Sequence, residues 1–486
     1  MTSFDFSLPF SPSALTLEML VAGLGLLIMI LGLLAPKNAR RGLAWVSFLG
    51  LLGIIGIAIT MWGQYDQLLG GMYLLDNYAL FWKITFMAAA ALVILGNMRY
   101  VDSMGNQSEY YSLTIFATLG MMVMASAGDL ITLYLGLELM TISFIILTCM
   151  RKTDNKSVEA GIKYVLLAGM SSAVLLYGFS LLYGLTGSVT MLEMGRFIAT
   201  HPVSPALVLA LVLLIAGLGF KISAVPFHMW SPDVYEGAPT PVTSFLSMGS
   251  KAASFAVILR LFVFALFGLW INWGLVIAIL AAITIVVGNL VAIPQTNIKR
   301  LLAYSSIAQA GYIMVGLVSA SQSGVKGVMF YAFLYVFATA GAFTVAAYFY
   351  NVTGSDELKD YAGLSQRSPL MAAVMLISLL SMAGIPPLAG FVGKFYLFQT
   401  LVNGYLWLVF IGLVMSMVSV YYYLRVALVM YRDEPLDPSP IRVSSPVAVT
   451  LIVAMIVTLV VGIYPGPLSE LVNNAANSFS MHFFMH

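Results

Sequence analysis

The sequence is a succession of apolar runs of about 20 residues, separated by short polar or Gly/Pro-rich breaks. A helix of that length and composition can cross the hydrocarbon core of a bilayer. Hydrophobic residues make up 61% of the 486-residue chain and charged residues only 9%, and the mean hydropathy is +0.97. This composition excludes a soluble globular protein. The pattern predicts an all-α polytopic membrane protein.

Fourteen transmembrane helices are predicted from the apolar runs. We place them near residues 14–34, 42–62, 75–97, 109–127, 129–150, 156–185, 203–224, 242–268, 271–293, 300–320, 324–350, 370–402, 405–431 and 446–465. The segment 370–402 is too long for one straight span and is predicted to be kinked or broken. The chain forms a single membrane domain, which we divide into three N-terminal helices (1–108), two five-helix repeats (109–270 and 271–431) and a C-terminal helix (432–486).

Two Pro-interrupted hydrophobic segments stand in corresponding places of the two five-helix blocks. Residues 221–242 end the fourth helix of the first block, and residues 381–395 interrupt the fourth helix of the second block. Paired broken helices are typical of inverted-repeat transporters, because the freed backbone groups can line a hydrated cavity near the middle of the membrane. We therefore expect two inverted repeats, each with one broken helix.

Lysine and arginine are distributed unequally between the two sets of loops. The loops on one side contain only Arg196 and Lys326, whereas the loops after odd-numbered helices contain thirteen basic residues: Lys37, Arg40, Arg41, Arg99, Arg151, Lys152, Lys156, Lys299, Arg300, Lys359, Arg367, Arg432 and Arg442. We call the side of the protein that carries these thirteen basic residues the basic face. The positive-inside rule predicts that the basic face is cytoplasmic and that both termini are periplasmic, in a bacterial inner membrane.

Five of the charged residues inside the predicted spans are the main clue to function: Glu138, Lys163, Lys221, Lys251 and Lys394. A charge at membrane depth costs roughly 3 kcal/mol on insertion scales. Such residues are therefore paired, turned toward a protein interior, or part of an ion path.

Glu138 shares its predicted helix with Asp129, nine residues earlier and on the opposite face. Asp129 stands at the helix start and is predicted to cap it. Glu138 lies about 13 Å deeper, where Tyr134 and Thr141 extend its face as a polar stripe. We expect Glu138 to take part in proton movement, the alternative being an interhelical hydrogen bond.

Lys221 lies close to a helix break that Pro226 imposes. A lysine beside free carbonyls and water can release and take a proton, and a nearby carboxylate favours its charged form. A pair of Glu138 with Lys221 would act as a proton switch. Lys251, about nine residues into the next helix, is spaced to receive or relay that proton.

Lys394 follows the Gly- and Pro-rich run 384–393, so it also sits at a break and is a candidate proton carrier. Lys163 has Glu159 one turn before it, which leaves an interfacial ion pair and a relay role equally open. His228 could bridge protons between lysines, but a packed, hydrogen-bonded histidine is a close alternative.

The remaining charged residues in spans receive structural predictions or none. Arg260 and Arg425 fall close to helix ends and are expected to extend to the interface, and Lys83 has no assigned role. With a single cysteine, Cys149, and four histidines, the chain has no pattern for an iron–sulfur cluster or haem. It also lacks a P-loop and a GxGxxG motif, so no cofactor or metal is expected in it.

Three motifs resemble the antiporter-like membrane subunits of respiratory complex I, the proton-translocating NADH:quinone oxidoreductase. They are KISAVPFHMWSPDVYEGAPTPV at 221–242, NIKRLLAYSSIAQAGY at 297–312 and GIPPLAGFVGK at 384–394. The resemblance extends from about residue 109 to 431. It implies that Glu138 and Lys221 form an input pair, that Lys251 is a central relay and that Lys394 is the terminal proton carrier, with Lys163 as an accessory.

The resemblance also implies a division of labour between subunits. NADH, FMN, iron–sulfur clusters and quinone would be bound by partner subunits, and this chain would use the released energy to move protons. The expected partners are a neighbouring antiporter-like subunit, small membrane subunits and lipids, with no nucleic acid. Two near alternatives are a subunit of a multisubunit cation/proton antiporter and a subunit of a membrane-bound hydrogenase. A third is a scaffold bundle in which the charges only specify packing.

Overall fold

The computed structural model describes residues 12–36, 40–402, 404–435 and 437–484, with side chains from residue 14 to 478. Lys37 and His486 lie outside the described residues, and so does the side chain of His482. A short hairpin of β1 (Asp66–Leu68) and β2 (Tyr73–Leu75) accompanies the helices. The helices are α1 Thr16–Leu34, α2 Gly42–Thr60, α3 Asn77–Gly96, α4 Met98–Met104, α5 Gln107–Ser126, α6 Leu130–Thr148, α7 Asn155–Thr186, α8 Met191–Thr200, α9 Pro205–Lys221, α10 Trp230–Gly237, α11 Thr240–Phe245, α12 Lys251–Ile258, α13 Trp270–Ala292, α14 Ile298–Val318, α15 Gln322–Thr353, α16 Leu364–Arg367, α17 Pro369–Ala383, α18 Ala389–Gln399, α19 Leu406–Arg432, α20 Ser445–Ile463 and α21 Gly466–Phe484.

The predicted all-α membrane fold is confirmed. Within the described residues, eleven helical segments are long and apolar enough to cross a membrane, and α9 and α17 are shorter apolar helices. Together with the 20-residue α5, they account for the fourteen predicted spans. The C-terminal segment contains a long helix that was not predicted, α21, in addition to α20. The polar residues of α21 interrupt its apolar pattern.

The two five-helix repeats have matching parts. The first begins with the pair α5 and α6, and the second with the pair α13 and α14. Each pair is in close contact at a glycine: a Cβ on Gly120 would lie 2.6 Å from the backbone nitrogen of Met140, and one on Gly288 would lie 2.5 Å from that of Ala308. The third helices, α7 and α15, both have 32 residues. These correspondences agree with the predicted internal duplication.

Both predicted helix breaks are present. In the first repeat, α9 ends at Lys221 and α10 begins at Trp230, with Pro226 between them. In the second repeat, α17 ends at Ala383, and Gly384 follows with a φ of 87°, a left-handed conformation that glycine adopts without strain. The helix α18 begins at Ala389, so the long segment 370–402 is broken as predicted.

The fifth span of the first repeat is a continuous helix, Thr240–Ala265, with two π-helical stretches. Leu246–Ser250 ends immediately before Lys251, and Leu259–Ala265 contains Arg260. π-Helical turns are rare in proteins overall, and those that occur are often found at functional sites. This span is almost entirely buried, as are α3, α14 and α15, whereas α1, α2, α19 and α20 expose apolar side chains on the outside of the bundle. The charged residues of the fifth span therefore lie at the centre of the molecule.

Candidate functional site

Lys221 and Glu138 are brought to the same place by α9 and α6. Lys221 is 3% exposed, and its Nζ donates a hydrogen bond of 2.9 Å to the Thr141 hydroxyl. Thr141 is one turn beyond Glu138 on the predicted polar stripe, and Tyr134 lies beside the Glu138 carboxylate at the other end. The Glu138 Oε1 atom is buried and has no hydrogen-bond partner among the described residues. In this structure the Lys221 ammonium is hydrogen-bonded to Thr141, and it forms no ion pair with Glu138.

Lys251 is buried against α14. It is 2% exposed, and its Nζ donates to both the carbonyl oxygen of Ser306, at 2.6 Å, and the Ser306 hydroxyl. The Ser247 hydroxyl lies 3.2 Å from that of Ser306 and 3.0 Å from the hydroxyl of Tyr335. The described residues place no carboxylate within ion-pair distance of Lys251. Its surroundings are polar but uncharged.

Lys394 lies at the second helix break, on α18. It is 4% exposed, and its Nζ donates to the carbonyl oxygen of Ala383, at 3.0 Å, and to the Ser416 hydroxyl, at 2.7 Å. The ammonium also lies 4.1 Å from the centre of the Tyr312 ring, a cation–π distance. The carbonyl of Ala383 is available because α17 ends there. The break thus supplies a ligand to the lysine, and again no described carboxylate pairs with it.

The helix α14 connects the surroundings of Lys251 and Lys394. Two residues of its motif at 297–312 contact the lysines: Ser306 accepts hydrogen bonds from Lys251, and the Tyr312 ring packs against the Lys394 ammonium. Ser306 and Tyr312 are about 9 Å apart along the helix. Polar contacts lie between them: Gln309 donates to the carbonyl oxygen of Met382 at 2.9 Å, and the other members are Ser305, Tyr331, Tyr423, Asn289 and Tyr422. These polar contacts run from the Tyr312 ring beside Lys394 to Ser305. Among the described residues no hydrogen bond connects them with Ser306, the ligand of Lys251.

Lys163 belongs to a surface ion cluster on the basic face. Its Nζ lies 2.8 Å from both Glu159 Oε1 and Asp233 Oδ2, and Arg300 Nη1 lies 3.0 Å from Asp233 and from Glu236. These residues and Lys156 line a cleft of about 180 Å³. The predicted pairing of Lys163 with Glu159 is confirmed, and its role in a relay stays a prediction.

The carboxylates of this cluster are held in their charged form. Partial burial alone would raise the pKa of Asp233, but hydrogen bonds from Lys163 and Arg300 outweigh it and lower the pKa below its ordinary value. The pKa of Glu236 is lowered in the same way by Arg300 and Lys156. The mouth of the cleft therefore presents fixed negative as well as positive charge.

Other predictions have mixed outcomes. Asp129 accepts hydrogen bonds from the backbone N–H groups of Ile131 and Thr132, so the predicted cap is confirmed. His228 is half-buried, and its Nδ1 has no hydrogen-bond partner among the described residues. It bridges no pair of lysines in this structure. Arg425 donates to the carbonyl oxygens of Ile293 and Gln295, just beyond the end of α13, and its expected position at the membrane interface stays a prediction.

The prediction for Arg260 is wrong. The side chain is 1% exposed, and its Nη2 lies 2.9 Å from both carboxylate oxygens of Asp76. Its position near a helix end suggested an interface, but α3 supplies a buried counter-charge from a distant part of the chain. Lys83, which had no assigned role, is fully buried and lies 2.8 Å from Glu18 Oε1. Sequence reasoning missed Glu18 and Asp76, although each begins an apolar run.

In the part of the chain that the structure describes, no group of three or more His, Cys, Asp or Glu side chains could hold a metal ion. The functional groups are instead lysines, hydroxyls and carboxylates. Two broken helices, inverted repeats and buried lysines with polar, uncharged partners define an antiporter-like subunit of an ion-translocating membrane complex.

Comparisons with known proteins agree with this class. The family model NADH:quinone oxidoreductase/Mrp antiporter, TM matches residues 127–419. NADH-quinone oxidoreductase subunit N of Desulforamulus reducens is 64% identical over 471 residues, which cover 97% of this chain and 99% of the relative. The chain belongs to the family of NADH-quinone oxidoreductase subunit N.

Solved structures show the same fold. A chain of respiratory complex I from Thermus thermophilus with bound aureothin is 32% identical and has a TM-score of 0.81, covering 94% of this chain and 100% of that chain. A chain of the Mrp complex from Dietzia sp. is 21% identical with a TM-score of 0.87, covering 98% and 99%. The likeness to the Mrp chain is one of fold alone.

Proposed function

We propose that this chain is a proton-translocating subunit of an NADH:quinone oxidoreductase. Quinone reduction in partner subunits would provide the energy, and the buried lysines of this chain would carry the protons. The observation that carries the proposal is the pair Lys251 and Lys394: both are buried, both are bound by neutral acceptors, and α14 supplies a polar or aromatic partner to each. If these lysines only stabilised the packing of the bundle, we would expect each to have a carboxylate partner, as Lys83 has in Glu18.

The uncharged surroundings suit reversible proton binding. Burial without a counter-ion disfavours the charged form of a lysine in general, so a lysine in such a site can release its proton to a neighbour. The hydroxyls of Ser306 and Ser416 are bound to the two lysines, and hydroxyls both donate and accept hydrogen bonds. Proton transfer from Lys251 toward Lys394 would pass along α14, with water or a side-chain movement bridging the step from Ser306 to the polar contacts of Ser305.

Glu138 and Lys221 would be the switch that drives the relay. With Lys221 on Thr141, the glutamate is left with an unpartnered oxygen. Closing the ion pair would hold a proton on Lys221, and opening it would favour release toward Lys251. A shift of one pKa unit corresponds to about 1.4 kcal/mol, whereas moving one charge against 100 mV costs about 2.3 kcal/mol. A switch worth a few pKa units is therefore large enough.

The cleft at the basic face is the proposed entrance. Lys163 would act there as an accessory, by holding Asp233 at the mouth. Further along the chain from Glu236, the hydroxyl of Ser244 is buried without a partner among the described residues, and a buried polar group of this kind is normally satisfied by water. His228 stays a weaker candidate, since its half-buried ring lies within the first break.

The finer assignments follow from the family and the loop charges. We place the chain in a bacterial inner membrane with the basic face in the cytoplasm and both termini in the periplasm. NADH, FMN, iron–sulfur clusters and quinone would be bound by other subunits. The neighbours would be a second antiporter-like subunit, small membrane subunits and lipids. The multisubunit cation/proton antiporter shares the fold, but the lysine-dominated path disfavours a bare sodium ion as cargo.

The test is Lys221→Ala in the assembled complex, with Lys359→Ala as the matched control at an exposed lysine. NADH oxidation by quinone and proton uptake into inside-out vesicles are measured on the same membranes. We expect both to fall together in Lys221→Ala, with the complex intact, and to stay at wild-type level in Lys359→Ala. Wild-type rates in Lys221→Ala would show that this lysine is structural and would remove the switch from the proposal.

A further inference from the structure

The last four carbonyl groups of α17 have no hydrogen-bond partner within the helix, because α17 ends at Ala383. Beyond the break, the backbone N–H of Gly384 donates to the carbonyl oxygens of Leu380, at 3.1 Å, and Ser381, at 2.9 Å. The two remaining carbonyls, of Met382 and Ala383, belong to buried residues. Both accept their hydrogen bonds from side chains of other helices.

Gln309 on α14 and Lys394 on α18 are the two side-chain donors. Gln309 Nε2 donates to the carbonyl oxygen of Met382 at 2.9 Å. Lys394 Nζ donates to that of Ala383 at 3.0 Å. Because Met382 and Ala383 are consecutive in the chain, the amide that holds the first carbonyl also restrains the position of the second. The position of this ligand of Lys394 therefore depends on Gln309.

The Gln309 amide is itself fixed by further hydrogen bonds. The side chain is 1% exposed, its Nε2 also donates to the Tyr423 hydroxyl at 3.3 Å, and its Oε1 accepts from the Tyr331 hydroxyl. Both N–H donors of the amide are thus used. Tyr423 lies on α19, which also carries Ser416, the second ligand of Lys394. Gln309 is therefore hydrogen-bonded to both helices that supply ligands to Lys394.

The two side-chain donors respond differently to the transfer of a proton. The Lys394 ammonium has three N–H donors and a positive charge, whereas the amine that remains after proton release has two N–H donors and a lone pair. A hydrogen bond from a charged donor is roughly twice as strong as one from a neutral donor. The bond from Lys394 to Ala383 therefore weakens when the proton leaves. The Gln309 amide does not titrate, so its bond to Met382 is the same in both states.

The first helix break is held in a different way. The carbonyl oxygen of Phe220 accepts a hydrogen bond of 2.9 Å from the indole N–H of Trp230, which begins the second half of the same broken helix. Lys221 donates instead to Thr141 on α6. A change in the charge of Lys221 thus leaves Phe220 with its partner. At the second break, a change in the charge of the lysine acts directly on the end of the helix.

We propose that Gln309 is a positioning residue for Lys394, which holds the end of α17 in place while the lysine loses and regains its proton. This inference rests on the proposed function, in which Lys394 carries protons. With Met382 held by the amide, the carbonyl of Ala383 and the hydroxyl of Ser416 stay within reach of the lysine nitrogen. Without the amide, the carbonyl of Met382 would be buried and unpaired, and the end of α17 would shift toward another donor.

The test is Gln309→Met in the assembled complex, because methionine is similar to glutamine in length and has no amide. The matched control is Gln295→Met. Gln295 Nε2 also donates to a backbone carbonyl at 2.9 Å, but this carbonyl belongs to Val291 in the last turn of α13 and not to a helix break. We expect NADH-driven proton uptake into inside-out vesicles to fall about fivefold or more in Gln309→Met. The amount of complex in native gels should stay at wild-type level in both variants, and uptake should be unchanged in Gln295→Met.

Gln309→Glu provides a readout that a purely structural role would not change. As a neutral carboxylic acid, glutamate can donate its O–H to the carbonyl of Met382, and as a carboxylate it has no donor. We expect its proton uptake to approach that of the wild type at low pH and to fall below it as the pH rises. The titratable side chains around position 309 are Tyr312, Tyr331, Tyr423 and Lys394. All four are also present in the wild type, so a difference between the two pH profiles reports the introduced carboxyl group.

Two results would overturn the positioning role: wild-type uptake in Gln309→Met, or a pH profile of Gln309→Glu that coincides with that of the wild type. If Gln309→Met does not assemble, the pH profile of Gln309→Glu decides.

Lys394→Met separates this inference from the relay on which it rests. Loss of uptake in Lys394→Met, together with wild-type uptake in Gln309→Met, refutes the positioning role and leaves the relay standing. Wild-type uptake in Lys394→Met refutes the relay itself, and the role of Gln309 with it.

Discussion

Replacing Lys83 and Lys394 by methionine, one at a time, separates a structural lysine from a proton carrier. Lys83 is fully buried and lies 2.8 Å from Glu18, which is 6% exposed. The variant Lys83→Met leaves the glutamate buried without its counter-charge. Breaking a buried pair in this way costs about 3–5 kcal/mol, which is roughly two to nearly four orders of magnitude in the folding equilibrium constant. We expect little assembled complex.

Lys394→Met has the opposite expectation. The partners of Lys394 are a carbonyl and a hydroxyl, so its removal strands no charge. Methionine is unbranched and fills irregular apolar space, and the change in unfolding free energy should stay below about 1.5 kcal/mol. The complex should assemble at wild-type level, with its proton uptake lost.

The assays are the amount of complex in native gels, its thermal inactivation in detergent, and NADH-driven proton uptake in inside-out vesicles. The double variant Lys83→Met with Glu18→Gln supplies the control, because it removes both charges and should restore assembly. The reasoning is refuted if Lys83→Met assembles normally, if Glu18→Gln does not rescue it, or if Lys394→Met pumps protons like the wild type.

Two further predictions concern residues that contact the relay lysines Lys221 and Lys394. Thr141→Val removes the hydroxyl that holds Lys221 at 2.9 Å, so proton uptake should fall severalfold, while Thr141→Ser should keep it; equal rates in the two variants would contradict a role for the hydroxyl. Gly384→Ala puts a side chain at a φ of 87° and a Cβ 3.0 Å from Lys394 Cδ, so thermal stability in detergent should fall by the equivalent of about 1–3 kcal/mol. An unchanged inactivation midpoint would show that the break tolerates a side chain.

The success and failure of the sequence predictions follow from how local each signal is. Membrane spans depend on the length of an apolar run, so the fourteen spans and the break in 370–402 were predictable from the chain itself. The cap by Asp129 and the pair of Lys163 with Glu159 involve residues within one turn of each other. By contrast, α21 was not predicted because it has apolar residues on only part of its surface. That apolar part packs against α3 and α15, which are distant in the sequence.

The sequence by itself determined that this is a polytopic membrane protein with two broken helices and lysines at membrane depth. The length of an apolar run, the position of a proline and the position of a charge each affect the chain locally, so no distant residue is needed to predict them. Only the tertiary structure decided which of those lysines has a counter-ion. Arg260 meets Asp76 across 184 residues of sequence, and Lys83 meets Glu18, whereas Lys251 and Lys394 meet carbonyls and hydroxyls. Whether a buried charge is neutralised depends on the helix packed against it, and that neighbour is set by the fold of the whole chain.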